Sequence, residues 1–347
     1  MMQAIQIKNK STVYFNSITE LFLLRDFSKN KTVLFASKKV KELANQIVNI
    51  LEGVGADLYL YLTDDGESNK NVEKALLFTQ YLSYNEIGRN DVIINLGGGT
   101  LCDLGGFVAS VYMRGMAYIN IPTTLLCAVD ASIGGKTAIN AVGAKNLWGV
   151  FCQPESVLID CNLLKNLPDA LLEEGMSEIV KYAVLDSDFA NFLKGLQGLN
   201  CIKQRLDEIV YYCAKIKASY VEVDEFDKKE RKLLNFGHTV AHAIERYSNY
   251  KTEHSTAVAY GIIYETKISY ANGFISINRY NQIISLCNKF LKIGNQSLNY
   301  EILQLMAKYK KNYQDKIVFA LPDEKSATVK EFTREELVKL LEKINNC

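Results

Sequence analysis

The sequence lacks paired cysteines, runs of like charge and apolar stretches long enough to span a membrane. Its eight cysteines are scattered at Cys102, Cys127, Cys152, Cys161, Cys201, Cys213, Cys287 and Cys347, and none forms a CxxC pair. Neither a structural zinc knuckle nor a dithiol redox motif is indicated. Cysteines spread in this way through 347 residues read as reduced core residues, so a cytoplasmic setting is expected. Forty basic residues stand against 39 acidic ones, a formal net charge of +1. That balance, with no local run of one sign, speaks against a nucleic-acid stripe or a polybasic membrane surface. No apolar run approaches the length of a membrane span. The opening residues, MMQAIQIKNKSTVYF, alternate like an amphipathic strand and carry early charges, unlike the apolar core of a secretory signal. Neither a nucleic-acid nor a membrane partner is expected. Histidine is scarce too: there are three, and all lie between Arg231 and His254.

That stretch, RKLLNFGHTVAHAIERYSNYKTEH, is where the chain concentrates its chemistry. Taken as one helix, Arg231, Asn235, His238 and His242 fall at i, i+4, i+7 and i+11, on a single face. Leu233, Leu234, Phe236, Val240, Ala243 and Ile244 fill the positions between. A buried helix with one polar stripe requires a partner for each polar group. His254 follows a short polar break, SNYKTE, and can fold back towards the stripe. Two imidazoles, a carboxylate from elsewhere and one open position make a catalytic zinc arrangement. Spacing does not decide which two histidines ligate, since His238 and His242 both qualify.

The N-terminal half alternates strand-like and helix-like stretches. Thr32–Ala36, Leu58–Leu62, Val92–Leu96, Ala117–Ile121 and Val157–Asp160 read as strands. Val40–Leu51 and Asn71–Tyr84 read as helices. The alternation predicts a parallel sheet covered on both faces, an α/β domain. Gly97-Gly98-Gly99 stands where a strand ends and a helix begins, so backbone N–H groups and the helix dipole can meet a pyrophosphate. It is not the GxGxxG fingerprint. Asp103 lies one turn into that helix and suits a hydroxyl or amide better than a phosphate. Asp65-Gly66-Glu67, with Lys70 three residues on from Glu67, reads by itself as a capping turn. Residues 122–153 read as a glycine-rich loop carrying Asp130, Lys136, Lys145 and Asn146. Its lysines suit a phosphate, but GGK is not a P-loop, because Asp130 occupies the place of the first glycine. A linker is expected near Pro168, where PDALLEE resembles a helix start. Asn281–Phe290, Glu301–Tyr309 and Thr333–Ile344 read as scaffold helices, with a strand-like IVFAL before the last. No internal repeat is present.

The stretches GGGTLCDLGGFVASVYMRG, IPTTLLCAVDASIGGKTAIN, GAKNLWGVFCQP, EEGMSEIVKYAVL and NFGHTVAHAIE resemble the 3-dehydroquinate synthases, within the wider sugar-phosphate cyclase group. The similarity runs from about Thr63 to about Ala259. It implies an NAD-binding parallel α/β domain over residues 1–167 and a mostly helical metal- and substrate-binding domain over 168–347, with the active site in the cleft between them. It implies zinc, or cobalt or another divalent ion, on Glu178, His238 and His254, with His242 acting beside the metal as an acid–base group. It implies NAD contacts from Asp65, Gly66, Glu67 and Lys70, from Gly98, Gly99, Thr100, Leu101, Cys102 and Asp103, and from Thr123, Thr124, Lys136, Lys145, Leu163 and Asn166. The implied substrate residues are Asp130, Lys136, Asn146, Lys181, Lys217, Arg231, Asn235 and His242, with Lys310 or Lys311 at the phosphate. Arg114 matches an arginine that reaches a partner's substrate phosphate, which implies a homodimer. The bland alternatives are an intrahelical ion pair for Lys181 and a solvated helix lysine for Lys217.

The implied reaction converts an anionic sugar phosphate, 3-deoxy-D-arabino-heptulosonate 7-phosphate, to 3-dehydroquinate and phosphate in the shikimate pathway. The substrate is oxidised transiently, loses phosphate, is reduced again and closes by an intramolecular aldol step. The chain departs from the family pattern in four places: Ser37 and Lys39 replace an acid and an Asn, Tyr309 precedes Lys310-Lys311 in place of an Asp, Asn140-Ala141-Val142-Gly143 lacks a His-Pro, and Ala241 replaces a glycine. Rival readings are another sugar-phosphate cyclase, a metal-dependent polyol dehydrogenase of similar fold, and an inactive NAD-sensing module. Arg231 with Asn235, the phosphate-binding lysines and the intact metal triad respectively argue against them.

Overall fold

The apolar runs become parallel strands because they are buried on both faces. In β3 (Lys31–Ser37), Leu34 and Ala36 face one core and Val33 and Phe35 the other. This is the period of two that a doubly covered sheet requires. The computed structural model describes residues 3–294, 300–307 and 316–345. Two compact units emerge, Met1–Pro168 with Leu206–Glu225, and Asp169–Arg205 with Phe226–Cys347.

The first unit opens with an antiparallel hairpin, β1 (Gln3–Ile7) and β2 (Ser11–Phe15). After β3 come α1 (Lys41–Glu52), β4 (Asp57–Thr63), α2 (Val72–Tyr84) and β5 (Val92–Gly97). Next are α3 (Gly99–Val111), β6 (Ala117–Pro122), β7 (Lys136–Ala141), β8 (Ala144–Phe151), β9 (Ser156–Ile159) and α4 (Cys161–Lys165). The sheet runs β1-β2-β9-β6-β5-β3-β4, parallel throughout except for β1 against β2. The parallel strands therefore end on one edge, where α/β sheets hold their ligands. Asn71 caps α2 by accepting from the Lys74 N–H at 2.9 Å.

The expected loop over residues 122–153 is corrected by the structure. Lys136 to Phe151 forms the antiparallel hairpin β7–β8, with a register shift between Ile139 and Ala141. Its glycines and lysines masked an otherwise strand-like alternation.

The chain continues into the second unit as α5 (Asp169–Leu185), α6 (Ser187–Gly195) and α7 (Gly198–Gln204), and returns to the first as α8 (Leu206–Val223). The β1–β2 turn holds the end of α8: the Lys8 N–H donates to Glu222, and Lys10 pairs with Glu225 at 2.8 Å. The second unit resumes with α9 (His238–Tyr247), α10 (His254–Ala271), α11 (Ile277–Phe290) and α12 (Tyr300–Ala307). It ends with the hairpin β10 (Lys316–Pro322) and β11 (Ala327–Thr333), then α13 (Arg334–Asn345). From Gly175 to Leu185 every residue of α5 is buried, so the polar groups it carries must find partners inside. Among the described residues, no helix is long and apolar enough to cross a membrane.

The single helix expected from Arg231 to His242 is also corrected. Glu230–Asn235 is a short 3-10 turn, and α9 begins only at His238. Gly237 between them has φ +83°, and its carbonyl lies so near Gly261 of α10 that a Cβ there would fall 1.7 Å from the oxygen. The left-handed backbone breaks the helix, and the glycine pair lets α9 and α10 touch at the point where His238 starts its helix.

Candidate active site

In the second unit three helices bring three donors together. Glu178 lies on α5, while His238 and His254 are the first residues of α9 and α10. One ligand atom of each lies within 4.8 Å of the others. Glu178 is fully buried, and its Oε1 faces His238 Nε2 at 3.3 Å and His254 Nε2 at 3.6 Å. The opposite ring nitrogens are engaged: His238 Nδ1 lies 3.1 Å from the Phe236 carbonyl, and His254 Nδ1 lies 3.4 Å from Glu245 Oε1. With an oxygen acceptor at each Nδ1, either ring in its neutral form holds its proton there and presents the Nε2 lone pair towards Glu178. Glu178 Oε1 is a buried oxygen without a hydrogen-bond donor. Converging lone pairs around such an atom fit a divalent cation and are repulsive without one.

The charges around this cluster have identifiable causes. Burial opposes ionisation of Glu178, but Lys181 and His238 outweigh it and hold the carboxyl well below its usual range. Burial would push His254 down, yet the Glu178 and Glu245 carboxylates on either side of its ring raise it to about 9. Lys181 pairs with Glu178 Oε2 along α5, so the intrahelical pair is present. Glu265, fully buried on α10, accepts from the Gly237 N–H at 2.7 Å and the Val240 N–H at 3.1 Å. It thereby satisfies the open amides at the start of α9. Burial pushes Glu265 up to about 8, against the pull of those N–H groups. Glu245 and Glu265 went unnoticed in the sequence. The first closes the NFGHTVAHAIE motif and could have been suspected there; the second sits in an apolar run with no local signal.

Arg231 and Asn235 lie on the 3-10 turn that precedes α9. Arg231 is almost wholly buried, and Asn235 Nδ2 donates to the Lys232 carbonyl at 2.9 Å. The His242 ring centroid lies 5.6 Å from that of His238. Lys310 and Lys311 lie outside the described residues.

In the first unit most of the expected residues gather at the C-terminal edge of the sheet. Gly98 and Gly99 open α3, followed by Thr100, Leu101, Cys102 and Asp103 in its first turn. A Cβ on Gly98 would meet Thr124 at 3.4 Å, an ordinary contact, so packing does not demand a glycine there; close approach of a ligand to the backbone would. The Thr123 N–H donates to the Gly97 carbonyl at 2.9 Å, bringing Thr123 and Thr124 beside this turn. Asp65 Oδ1 accepts from Thr100 Oγ1 at 3.0 Å and from the Gly66 N–H at 2.8 Å. Gly66 has φ +108° and ψ 162°, a region open essentially to glycine alone. A small, open pocket is lined here by Asp65, Gly66, Lys70, Thr100 and Leu101, among others.

Lys70 does not pair with Glu67, as a plain capping turn would have it. It is buried and bonds both Asp103 Oδ2 and Asn146 Oδ1. Burial raises Asp103, and Lys70 pulls against that rise. Lys217 of α8 is likewise no solvated lysine: it is buried and bonds the Asp130 carbonyl and, at 2.9 Å, Asp130 Oδ1. Lys136 is exposed at the start of β7, and Lys145 is half-buried in β8. Leu163 and Asn166 follow β9, which β6 separates from β5. Leu163 packs on the sheet core, and Asn166 bonds the Asn162 carbonyl of its own helix. Arg114 sits after Met113 in a loop where both have positive φ, 66° and 48°.

The fold is shared with known cyclases. It matches a crystal structure of 2-deoxy-scyllo-inosose synthase complexed with carbaglucose-6-phosphate, NAD+ and Co2+, with TM-score 0.88 and 21% identity over 99% of both chains. It also matches 2-epi-5-epi-valiolone synthase from Streptomyces hygroscopicus with NAD+ and Zn2+ bound, at TM-score 0.84 and 21% identity, covering 100% of this chain and 98% of that one. Sequence narrows the class further. Residues 60–174 match the family model for the N-terminal part of 3-dehydroquinate synthase, and 175–312 match that for its C-terminal part. The 3-dehydroquinate synthase of Streptococcus suis is 37% identical over 298 residues, 84% of each chain. The bifunctional 3-dehydroquinate synthase/phosphatase of Fusobacterium nucleatum is 34% identical over 93% of this chain, which spans only 50% of that protein's length. The chain belongs to the 3-dehydroquinate synthase family.

Proposed function

We propose that the chain converts 3-deoxy-D-arabino-heptulosonate 7-phosphate to 3-dehydroquinate and phosphate, with NAD and a divalent ion, zinc first among the candidates. The reading rests above all on the donor cluster of Glu178, His238 and His254, whose buried carboxylate oxygen has no protein donor. Family membership and the NAD+ with Co2+ or Zn2+ held by the two cyclases of like fold support it. When bound, NAD would supply a reversible hydride acceptor, and the metal a Lewis acid that acidifies the hydroxyl to be oxidised.

The chain's own residues would bind, orient and move protons. Glu178, His238 and His254 would hold the metal, and Lys181 would balance the charge of Glu178. Arg231, backed by Asn235, would clamp the substrate carboxylate, for which a guanidinium fork is suited. Lys136, Asn146 and one of Lys310 and Lys311 would take the phosphate, with Arg114 contributed by a second copy. Asp130, fixed by Lys217, would accept from a substrate hydroxyl, and His242 would carry a proton beside the metal. Asp65, Gly66, Glu67, Lys70, Gly98, Gly99, Thr100 to Asp103, Thr123, Thr124, Lys145, Leu163 and Asn166 would bind NAD. The first unit would thus be the dinucleotide domain and the second the metal domain. A homodimer in the cytoplasm belongs to the same reading. It is supported by the exposed apolar strand Leu147, Trp148, Val150 and Phe151 on β8, and by the seven cysteines among the described residues, all of them free.

Sugar phosphate, NAD and zinc are mixed with the protein without oxygen. The expected result is phosphate and a carbocyclic product in equal amounts, with no NADH accumulating. NADH accumulating without phosphate release would overturn the proposal in favour of a polyol dehydrogenase.

A further inference from the structure

The residue at the register shift of the β7–β8 hairpin joins two segments that the proposed function assigns to different ligands. Asn140 lies between Ile139 and Ala141, where the ladder slips. A bulge of this kind re-aims a side chain. Its Nδ2 donates to Glu67 Oε1 at 2.7 Å and to the Glu67 carbonyl at 3.2 Å. Its Oδ1 accepts from the Asn146 N–H at 2.9 Å. Its own N–H donates to the Lys70 carbonyl at 2.8 Å. Asn146 is in the left-handed region, φ +51°, a conformation that Asn tolerates better than most residues. From there its Oδ1 accepts from Lys70, which also holds Asp103. The bonds close a ring, from Asn140 to Asn146, to the Lys70 ammonium, and back through the Lys70 carbonyl to Asn140, with Glu67 tied to it by the Asn140 amide.

We propose that Asn140 is a positioning residue that couples the dinucleotide segment Glu67–Lys70 to the phosphate-binding Asn146, so that the two ligands bind cooperatively. The inference rests on the proposed function for the assignment of Glu67, Lys70 and Asn146. The side chain must be an amide, because it donates to a carboxylate and a carbonyl and accepts from an N–H at once. Asp would set a second carboxylate against Glu67, and Ala would leave Glu67 and the Asn146 N–H without these bonds. A ligand that orders one side of the ring orders the other, and linkage makes the effect reciprocal.

The experiment uses the zinc-loaded full chain and two probes, NADH fluorescence and inorganic phosphate. In the unaltered protein, saturating phosphate is expected to lower the Kd for NADH by about tenfold, within the usual range of coupling. In Asn140→Ala that factor falls to about one, even where each ligand still binds alone, and Asn140→Asp does not restore it. Glu67→Ala, on the other side of the same bond, lowers the factor as well, and adding Asn140→Ala to it lowers it no further. A merely structural role for Asn140 would weaken both ligands and leave the cross-effect intact; that result overturns the proposal, as does an unaltered protein in which phosphate does not change NADH affinity. NADH failing to bind the unaltered protein at all would overturn the functional reading beneath it as well.

Discussion

The two polar clusters of this chain solve opposite problems. In the first unit two buried lysines find their counter-groups inside the protein: Lys70 meets Asp103 and Asn146, and Lys217 meets Asp130. Lys70 follows β4 and Asp103 follows β5, with β3 between them, while Asn146 lies on β8 and Lys217 on α8, so the first unit's own elements supply both sides of each pair. In the second unit Glu178 Oε1 is buried facing two imidazole Nε2 atoms, without a hydrogen bond to either. That cluster is assembled from three helices and completed by something the chain does not supply. A preformed polar ring suits a ligand that is held throughout a reaction. A donor set short of one cation suits a metal that concentrates positive charge where an anionic substrate reacts.

The largest effect expected from this contrast is at the metal. His238→Ala should lose bound zinc, measured by elemental analysis of the dialysed protein. Because a Lewis acid contributes several kcal/mol, turnover should fall by roughly a thousandfold or more. Unchanged zinc content would remove His238 from the ligand set. Next in size is Glu245→Ala, which deprives His254 Nδ1 of its acceptor. Losing such an outer partner should weaken metal affinity by about 10–100-fold in chelator competition. Lys70→Met sharpens the comparison from the other side. It should weaken NADH binding and leave the zinc content at one per chain; a fall in zinc would mean that the two clusters are not independent.

Short apolar runs alternating with helical periodicity made the first unit's sheet legible, because strands buried on both faces are apolar throughout. The hairpin β7–β8 was hidden because glycines and lysines interrupt its apolar pattern, and its pairing is supported by contact with α3 and with Asn71 rather than by propensity alone. In the second unit the identity of the stretch around the histidines was legible, but its geometry was not. Gly237 reads as one more residue of a helix until Gly261, distant in sequence, is seen to press on it. Asn140 and Glu265 act through hydrogen bonds to residues far along the chain, and no local pattern announces such bonds. The choice between His238 and His242 came from family resemblance, since helical spacing admits both.

The smallest effect expected is a pH dependence that separates metal-free from metal-loaded protein. His254 is raised to about 9 from its ordinary 6.5, so in the metal-free protein its stabilising charge is fully present below pH 6.5 and is lost as pH rises through 9. Glu178 is depressed below its ordinary 4.5, so its contribution is present above pH 4.5 and is lost only in acid, as pH falls through the depressed value. Metal binding requires His254 without its Nε2 proton, so the loaded protein gives up no such charge, and its metal is held more tightly as protons become scarce. The difference in Tm between loaded and metal-free protein should therefore widen by a few degrees from pH 6.5 to 9, in scans with equimolar zinc and with chelator. A difference that stays level or narrows across that window would show that His254 does not exchange its proton for the metal, and the contrast between a self-sufficient cluster and an incomplete one would lose its second half.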